Sequence, residues 1–246
     1  ILAMGRRWGK TVLGAAMVLT VLRYHGRAAW IVPEYRNGRV LWRYVSSICA
    51  PLQQSKLMDI SKTERVITTH AGGFLAIYSA DNIDSIRSEA FNLVVRDEAA
   101  RQSEEGLQDA VIPTLADADG DLVDISTPVG KNYYYYEFMA GIQAMNEERA
   151  SWHAPSNANP NPQIQEAFLN AKRLSEEGRY SSRSFRQEWL AEFVSDGSYF
   201  VGIDACATAE PQDPLPGRTY VIGVDWARSS SGDATVFIVM DAKDNT

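Results

Sequence analysis

Short apolar runs alternate with longer segments of helical periodicity along this chain. The apolar run at 1–4 predicts a strand, and the segment from 10 to about 24 predicts a helix. A second apolar run at 28–33 ends in proline, and mixed helical spacing follows at 36–52. Because strands and helices alternate, the pattern predicts an α/β fold with a mostly parallel sheet flanked by helices.

Later apolar runs extend the predicted sheet. Runs at 64–69 and 74–79 flank Gly72-Gly73, which predicts a hairpin at the edge of the sheet. The run at 92–98 is an apolar stretch that ends in two acids, which predicts a buried parallel strand, and 121–128 predicts another strand that proline ends. Further helices are predicted at 103–114, 132–145 and 162–177.

A proline-rich stretch at 210–217 interrupts this pattern, since proline continues neither a helix nor a central strand. Two apolar runs after it, 220–225 and 235–241, predict a second hairpin. An isolated hairpin is marginally stable, so we expect the rest of its sheet, like the segment before the first strand, to lie outside this chain. The predicted organisation is a first domain at 1–200, a linker at 201–218 and a truncated second domain at 219–246.

Composition limits the possible partners. The chain has 246 residues, of which 45% are hydrophobic, and a formal net charge of −7. This balance predicts a globular core and argues against nucleic-acid binding through bulk positive charge, so any DNA contact is expected to be local. No apolar run reaches the roughly 18 residues of a membrane span, and no membrane partner is expected.

The first chemical motif is Gly-Arg-Arg-Trp-Gly-Lys-Thr at 5–11, between the first strand and the first helix. A glycine-bounded loop of this kind presents backbone N–H groups to nucleotide phosphates, with Lys10 reaching the β- and γ-phosphates and Thr11 on Mg²⁺. Met4 stands where the general pattern has a further glycine. The predicted nucleotide-binding residues of the loop are Gly5, Arg6, Arg7, Trp8, Gly9, Lys10 and Thr11.

The second motif is the acid pair Asp97-Glu98 at the end of an apolar run. Hydrolysis of ATP needs one carboxylate near the metal, here Asp97, and another that orients or activates water, here Glu98. We expect the loop at 5–11 and this pair to meet on neighbouring strand ends around one triphosphate. Arg96 interrupts the apolar run, and we expect it to face solvent or a partner. Thr127, which ends the next strand, is the predicted γ-phosphate sensor.

Four segments in this order resemble the large terminase subunit of tailed double-stranded DNA phages. They lie at 5–11, 95–100, 125–132 and 187–193. The resemblance implies a P-loop NTPase of the ASCE, RecA-like class that binds ATP with Mg²⁺. It also implies hydrolysis in a homo-oligomeric ring that packages double-stranded DNA into a preformed capsid. The implied partners are a portal protein and a small terminase subunit, and the implied location is the host cell cytoplasm, at the viral procapsid.

The same resemblance implies that the second hairpin opens an RNase H-like nuclease domain. Nucleases of this kind use two metal ions held by carboxylates, Mg²⁺ or Mn²⁺ in this case. Asp225 matches a first metal ligand and Asp233 is a further candidate. The other ligands would lie beyond Thr246, so nuclease activity is expected only of a longer protein.

An arginine that stabilises charge on the transferred phosphoryl group is expected in such a motor. By resemblance, Arg87 occupies the place of an arginine that reaches a neighbouring subunit's nucleotide, although Ser88 stands where the family usually has glycine. Arg6 and Arg7 are the alternatives within one subunit.

Two other functions are open from the sequence. A helicase-like, nucleic-acid-stimulated ATPase also carries an Asp-Glu-Ala motif, but it would need a second motor lobe where this chain has a linker and a hairpin. A non-hydrolysing scaffold with a decayed nucleotide site would explain Met4, Arg96 and Ser88. Measured ATP turnover distinguishes the scaffold from the motor.

Overall fold

The computed structural model describes residues 1–146, 148–194, 215–225 and 236–242. The chain divides into two compact units, residues 1–196 and 197–246, and each is described by itself. Among the described residues, no helix is long and apolar enough to cross a bilayer.

The first unit is built on a sheet of eight strands in the order β3-β4-β5-β2-β6-β7-β1-β8. Six neighbouring strands of this sheet run parallel, namely β5, β2, β6, β7, β1 and β8. The remaining two, β3 and β4, pair antiparallel at one edge. The strand bounds are β1 Leu2–Met4, β2 Arg27–Val32, β3 Met58–Ser61, β4 Val66–Thr69, β5 Phe74–Ser79, β6 Leu93–Asp97, β7 Asp121–Ser126 and β8 Trp152–Ala154.

In the part of the chain that the structure describes, seven α-helices connect and cover these strands. The predicted helix at 103–114 is interrupted by a π turn at Leu107–Val111, which separates α3 from α4. Short 3₁₀ segments lie at Tyr35–Gly38, Ala80–Ile86, Ala99–Arg101 and Ser156–Ala158. The helix bounds are α1 Lys10–Arg23, α2 Arg39–Gln54, α3 Glu104–Gly106, α4 Ile112–Ala116, α5 Tyr133–Ala144, α6 Pro162–Glu176 and α7 Ser182–Glu188.

Both faces of the sheet are covered, as the continuous apolar runs predict. Trp30 of β2 packs in one core cluster with Val18 of α1 and Val45 of α2. Ile31, the next residue, packs in a second cluster with Val111 on the opposite face. Each of these side chains is fully buried, which stabilises the fold by about 1.5–3 kcal/mol per side chain. The α/β fold with a mostly parallel sheet is thereby confirmed.

The strand order corrects one expectation about the site. β7 lies between β1 and β6, with Leu2 beside Ile125 on one side and Val95 beside Val123 on the other. The loop after β1 and the acid pair at the end of β6 are therefore separated by one intervening strand and do not lie on adjacent strands. The residues that follow β7 lie between them, because parallel strands end at the same edge of a sheet.

The expectation that Arg96 faces solvent or a partner is wrong. Its side chain is 1% exposed and forms an ion pair with Asp124, which is 2% exposed. The two residues are in register on β6 and β7. An arginine fits into this apolar strand because the neighbouring strand supplies a carboxylate at the same level.

The edge of the sheet differs from the predicted hairpin in one respect. β4 and β5 are antiparallel and flank Gly72-Gly73, as predicted. β5 also pairs in parallel with β2 and so belongs to the main sheet, while β3 extends the edge. The short strands β3 and β8 were absent from the prediction because three or four residues carry little periodicity.

The second unit contains the predicted second hairpin. β9 Tyr220–Asp225 and β10 Val236–Asp241 are antiparallel, with Tyr220 opposite Asp241. Arg218 donates to the Asp241 carboxylate across a distance of 3.0 Å. Most of the predicted linker at 201–218 lies outside the described residues.

Candidate functional site

A cleft of about 660 Å³ opens beside the loop that joins β1 to α1. The residue after β6 and the residue after β7 also line it, so it lies at the carboxyl edge of the parallel strands. This is the position at which open α/β sheets bind ligands. The lining residues are Arg6, Arg7, Trp8, Gly9, Lys10, Thr11, Val12, Val40, Tyr44, Glu98, Arg101, Thr127 and Glu188.

The two glycines of the loop are needed for different reasons. Gly9, the residue before α1, has φ +93°, a left-handed conformation that favours glycine. At Gly5 the reason is close packing, since a Cβ there would lie 2.4 Å from Ser156 Oγ and 2.7 Å from the Trp189 carbonyl oxygen. The indole of Trp8 donates to the Pro155 carbonyl at 3.0 Å. The loop is therefore held against the segments that follow β8 and α7.

Lys10 begins α1 with a buried ammonium group. Its Nζ donates to the carbonyl oxygens of Met4 at 2.9 Å and Gly5 at 3.2 Å. Burial lowers the pKa of Lys10, and the carboxylates of Glu98 and Asp97 oppose this effect. The ammonium is thus close enough to the acid pair to feel its charge, as a single nucleotide site requires.

Asp97 ends β6, directly before the cleft-lining Glu98. Burial, and then the neighbouring Glu98 charge, raise the pKa of Asp97 to about 7, although Lys10 and the Glu98 N–H favour its charged form. A buried carboxylate that lacks enough positive charge fits a divalent cation. No cluster of three or more metal-ligating side chains occurs in the described part of the chain. Mg²⁺ held here would therefore take most ligands from phosphate and water oxygens, with Asp97 and Thr11 added.

Glu98 has a left-handed backbone, φ 51° and ψ 43°, which costs about 1–3 kcal/mol for a residue other than glycine. Its Oε2 lies 3.4 Å from the hydroxyls of Ser126 and Thr127. The Ser126 hydroxyl has a shorter contact, 2.7 Å, with the Thr127 carbonyl. Because one hydroxyl has one proton, Thr127 is the better donor to Glu98. The predicted sensor therefore contacts the predicted water-orienting acid.

Arginines and acids alternate along one side of the cleft. The Glu188 carboxylate at the end of α7 lies 3.6 Å from Arg6 Nε and 3.8 Å from Arg101 Nη2. Arg101 Nε is in turn 4.0 Å from Glu98 Oε2. The neighbouring Arg7 has φ 59° and an exposed side chain. These cations give the cleft the positive charge that a triphosphate needs.

Comparison with known proteins shows which of them this chain resembles. No family model matches the sequence. The large terminase subunit of Thermus phage G20c is 27% identical over an alignment that covers 98% of this chain and 57% of that protein. The ATPase domain of the Thermus phage P74-26 large terminase has the same fold, with a TM-score of 0.68 at 22% identity, covering 79% of this chain and 88% of that domain. The chain is related to phage large terminase subunits.

A further solved terminase shares this fold. The large terminase of a thermophilic bacteriophage, determined in complex with ATP-γ-S, has a TM-score of 0.58 at 15% identity and covers 92% of this chain and 55% of that one. Likeness at this level of identity shows a shared fold. This chain spans 57% of the length of the G20c large terminase subunit.

Most residues predicted for the nucleotide site of this terminase relative line one cleft. Gly5 and Asp97 are not among the residues that line it. Arg87 lies outside the cleft, at the end of the 3₁₀ segment Ala80–Ile86. Asp225 has its backbone in β9, and Asp233 lies outside the described residues. The cleft-lining residues predicted from the sequence are Arg6, Arg7, Trp8, Gly9, Lys10, Thr11, Glu98 and Thr127.

The sequence analysis missed two charged residues that line the cleft, Arg101 and Glu188, and a buried serine that contacts cleft residues, Ser126. Ser126 precedes the predicted sensor, and Arg101 follows Glu98 by one helical turn. Glu188 belongs to a segment that was used for the family resemblance and given no role. The spacing of Arg101 from Glu98 was a usable signal, because residues three apart on a turn share one side.

Proposed function

We propose that this chain is the ATP-hydrolysing part of a motor that packages viral double-stranded DNA into a preformed capsid. The single observation that supports it best is one cleft lined by both Lys10 and Glu98, although almost ninety residues separate them in the sequence. A phosphate-binding cation and a water-orienting acid on one cleft are the minimum for hydrolysis of a triphosphate.

The proposed roles divide between binding and reaction. The backbone N–H groups of the loop and the Lys10 ammonium bind the phosphates, for which Lys10 exchanges its present carbonyl partners, Met4 and Gly5, for phosphate oxygens. Mg²⁺, held beside Thr11 and Asp97, supplies charge neutralisation at the phosphates. Glu98 accepts a hydrogen bond from the attacking water and orients it, and Thr127 keeps the Glu98 carboxylate in position.

The proposed role in DNA packaging rests on the similarity of this chain to phage large terminase subunits. Large terminase subunits are the curated proteins that this chain resembles. We propose a homo-oligomeric ring acting on double-stranded DNA with a portal protein and a small terminase subunit, in the host cytoplasm at the procapsid. The proposed domains are an ATPase at 1–200, a linker at 201–218 and the start of a nuclease domain at 219–246. Asp225 and Asp233 would be ligands for Mg²⁺ or Mn²⁺ there.

The test is ATP turnover by the purified chain with Mg²⁺, alone and with duplex DNA. We expect wild-type turnover and its loss in Lys10→Ala, because the buried ammonium is the main phosphate-binding cation. Lys172→Ala is the matched control, since this exposed lysine pairs with Glu176 on α6, away from the cleft. Binding of ATP without turnover by the wild type would overturn the proposal in favour of a nucleotide-binding scaffold.

A further inference from the structure

Arg101 is a cleft arginine whose hydrogen-bonding capacity is not used. Its side chain is 50% exposed and has two acidic neighbours, Glu188 at 3.8 Å and Glu98 at 4.0 Å. Both distances exceed a hydrogen bond, and its guanidinium donates none to the described residues. By contrast, Arg186 on α7 donates to Glu192 at 2.6 Å. The Arg101 donors therefore remain available to a ligand in the cleft.

We propose that Arg101 is a catalytic residue that contacts the terminal phosphate from within the same subunit, and that Glu188 is the positioning residue that holds it. This inference rests on the proposed ATPase function. A guanidinium binds phosphate oxygens through paired, charge-assisted hydrogen bonds, which are stronger than its present long ion pairs.

The backbone around Arg101 is fixed by several contacts, so its side chain starts from a set place. The Arg101 N–H donates to the Glu98 carbonyl at 2.9 Å and closes the turn Ala99–Arg101. The Tyr133 hydroxyl donates to the Ala99 carbonyl at 2.6 Å, and the Asn132 side chain donates to the Ala100 carbonyl at 2.7 Å. One rigid turn thus carries both Glu98 and Arg101, the arrangement that electrostatic stabilisation of a transition state requires.

Position distinguishes Arg101 from the arginines of the phosphate loop. Arg6 and Arg7 stand on the loop before α1, where the phosphates first meet backbone N–H groups. Arg101 stands beside Glu98, where water attacks the terminal phosphate in the proposed reaction. Charge that develops on the transferred group is therefore closer to Arg101.

Glu188 links Arg101 to the phosphate loop. Its backbone carbonyl accepts from the Arg6 N–H at 2.7 Å, so the end of α7 is fixed to the loop. Its carboxylate lies between the guanidinium groups of Arg6 and Arg101. This negative charge keeps both cations at the cleft when no phosphate is present.

The test compares Arg101→Gln and Arg101→Lys with the control Arg186→Gln, which removes an arginine of similar exposure from α7. We expect Arg101→Gln to lower kcat by about 1,000-fold or more, within the range for arginines on a transferred phosphoryl group. Affinity for ATP-γ-S should fall several-fold while affinity for ADP stays within about twofold, as measured by equilibrium binding of each nucleotide. Arg101→Lys should recover part of kcat. A kcat within about threefold of the wild type, or equal losses of ADP and ATP-γ-S binding, would overturn the role of Arg101.

Glu188→Gln tests the positioning role separately. It should lower kcat less than Arg101→Gln does, and the double variant should be no slower than Arg101→Gln alone, because both changes act through one guanidinium. Additive losses would overturn this part. If the wild type does not hydrolyse ATP, the proposed function fails, whereas the ratio of ATP-γ-S to ADP affinity still decides whether Arg101 contacts the terminal phosphate.

Discussion

Arg96 and Asp124 form a two-point ion pair inside the sheet, with Nε to Oδ1 at 2.7 Å and Nη2 to Oδ2 at 2.5 Å. Burial works against the charge on Arg96, but the Asp124 carboxylate outweighs it and raises the pKa of the guanidinium above its ordinary value. Arg96 directly precedes Asp97, so the pair fixes the end of β6 from which both predicted acids project.

Removing one partner of this ion pair should destabilise the protein more than replacing both partners by apolar residues. We predict that Asp124→Asn destabilises the protein by about 3–5 kcal/mol, because Arg96 is left as a buried charge without a counter-ion. The double variant Arg96→Met/Asp124→Leu should recover most of that loss. Urea unfolding measures both, with Asp121→Asn on the exposed start of β7 as control. Equal losses in the single and double variants would contradict the prediction.

Asp97 should make the stability of the nucleotide-free protein fall as pH rises. Its folded pKa of about 7 exceeds its ordinary value of 3.8, so between these values the folded state binds a proton that the unfolded state has released. Stability from this group is therefore complete below about pH 4 and is lost by about pH 7.

The variant Asp97→Asn tests whether Asp97 makes the stability of the protein fall as pH rises. The variant should be more stable than the wild type above pH 7, by on the order of 2 kcal/mol after allowance for solvent screening, and the difference should vanish near pH 4. Chemical unfolding across this pH range in the presence of EDTA is the measurement. If the wild type is more stable than Asp97→Asn at pH 8, burial does not make the charged form of Asp97 unfavourable.

Glu98→Gln should separate binding from hydrolysis. The amide keeps the size of the side chain but accepts a proton poorly, so the variant should bind Mg²⁺-ATP about as tightly as the wild type and hydrolyse it at least about 100-fold more slowly. Equilibrium binding and steady-state turnover measure the two quantities. Glu177→Gln, at an exposed glutamate after α6, is the control. Unchanged turnover in Glu98→Gln would remove Glu98 from its proposed role.

Arg87 is an exposed arginine for which we propose a role in the active site of a neighbouring subunit. Its side chain is 55% exposed, lies outside the cleft and donates to Asp84 at 2.7 Å. Arg87→Ala should lose ATP turnover only under conditions in which subunits assemble. Mixing it with Glu98→Gln subunits should restore part of that turnover, because each variant supplies what the other lacks. Turnover that stays absent at every mixing ratio would contradict action in trans.

Local patterns were sufficient to predict the alternating core of the fold. The runs at 1–4, 28–33 and 92–98 became strands β1, β2 and β6, since each is largely buried on both faces and therefore mostly apolar. The motif at 5–11 likewise marked its own loop, because the left-handed turn at Gly9 and the helix start at Lys10 are set by adjacent residues. β8 escaped prediction because its pairing with β1 comes from a distant part of the chain.

The sequence by itself determined which chemical groups this protein carries and at which strand ends they stand, since apolar runs, glycines and the acid pair are local signals. Only the tertiary structure decided which groups meet. In the folded chain β7 lies between β1 and β6, Asp124 pairs with Arg96, and Glu188 lies beside Arg101. The physical reason is that strand order and side-chain pairing depend on contacts between residues far apart in the chain, about which local periodicity contains no information.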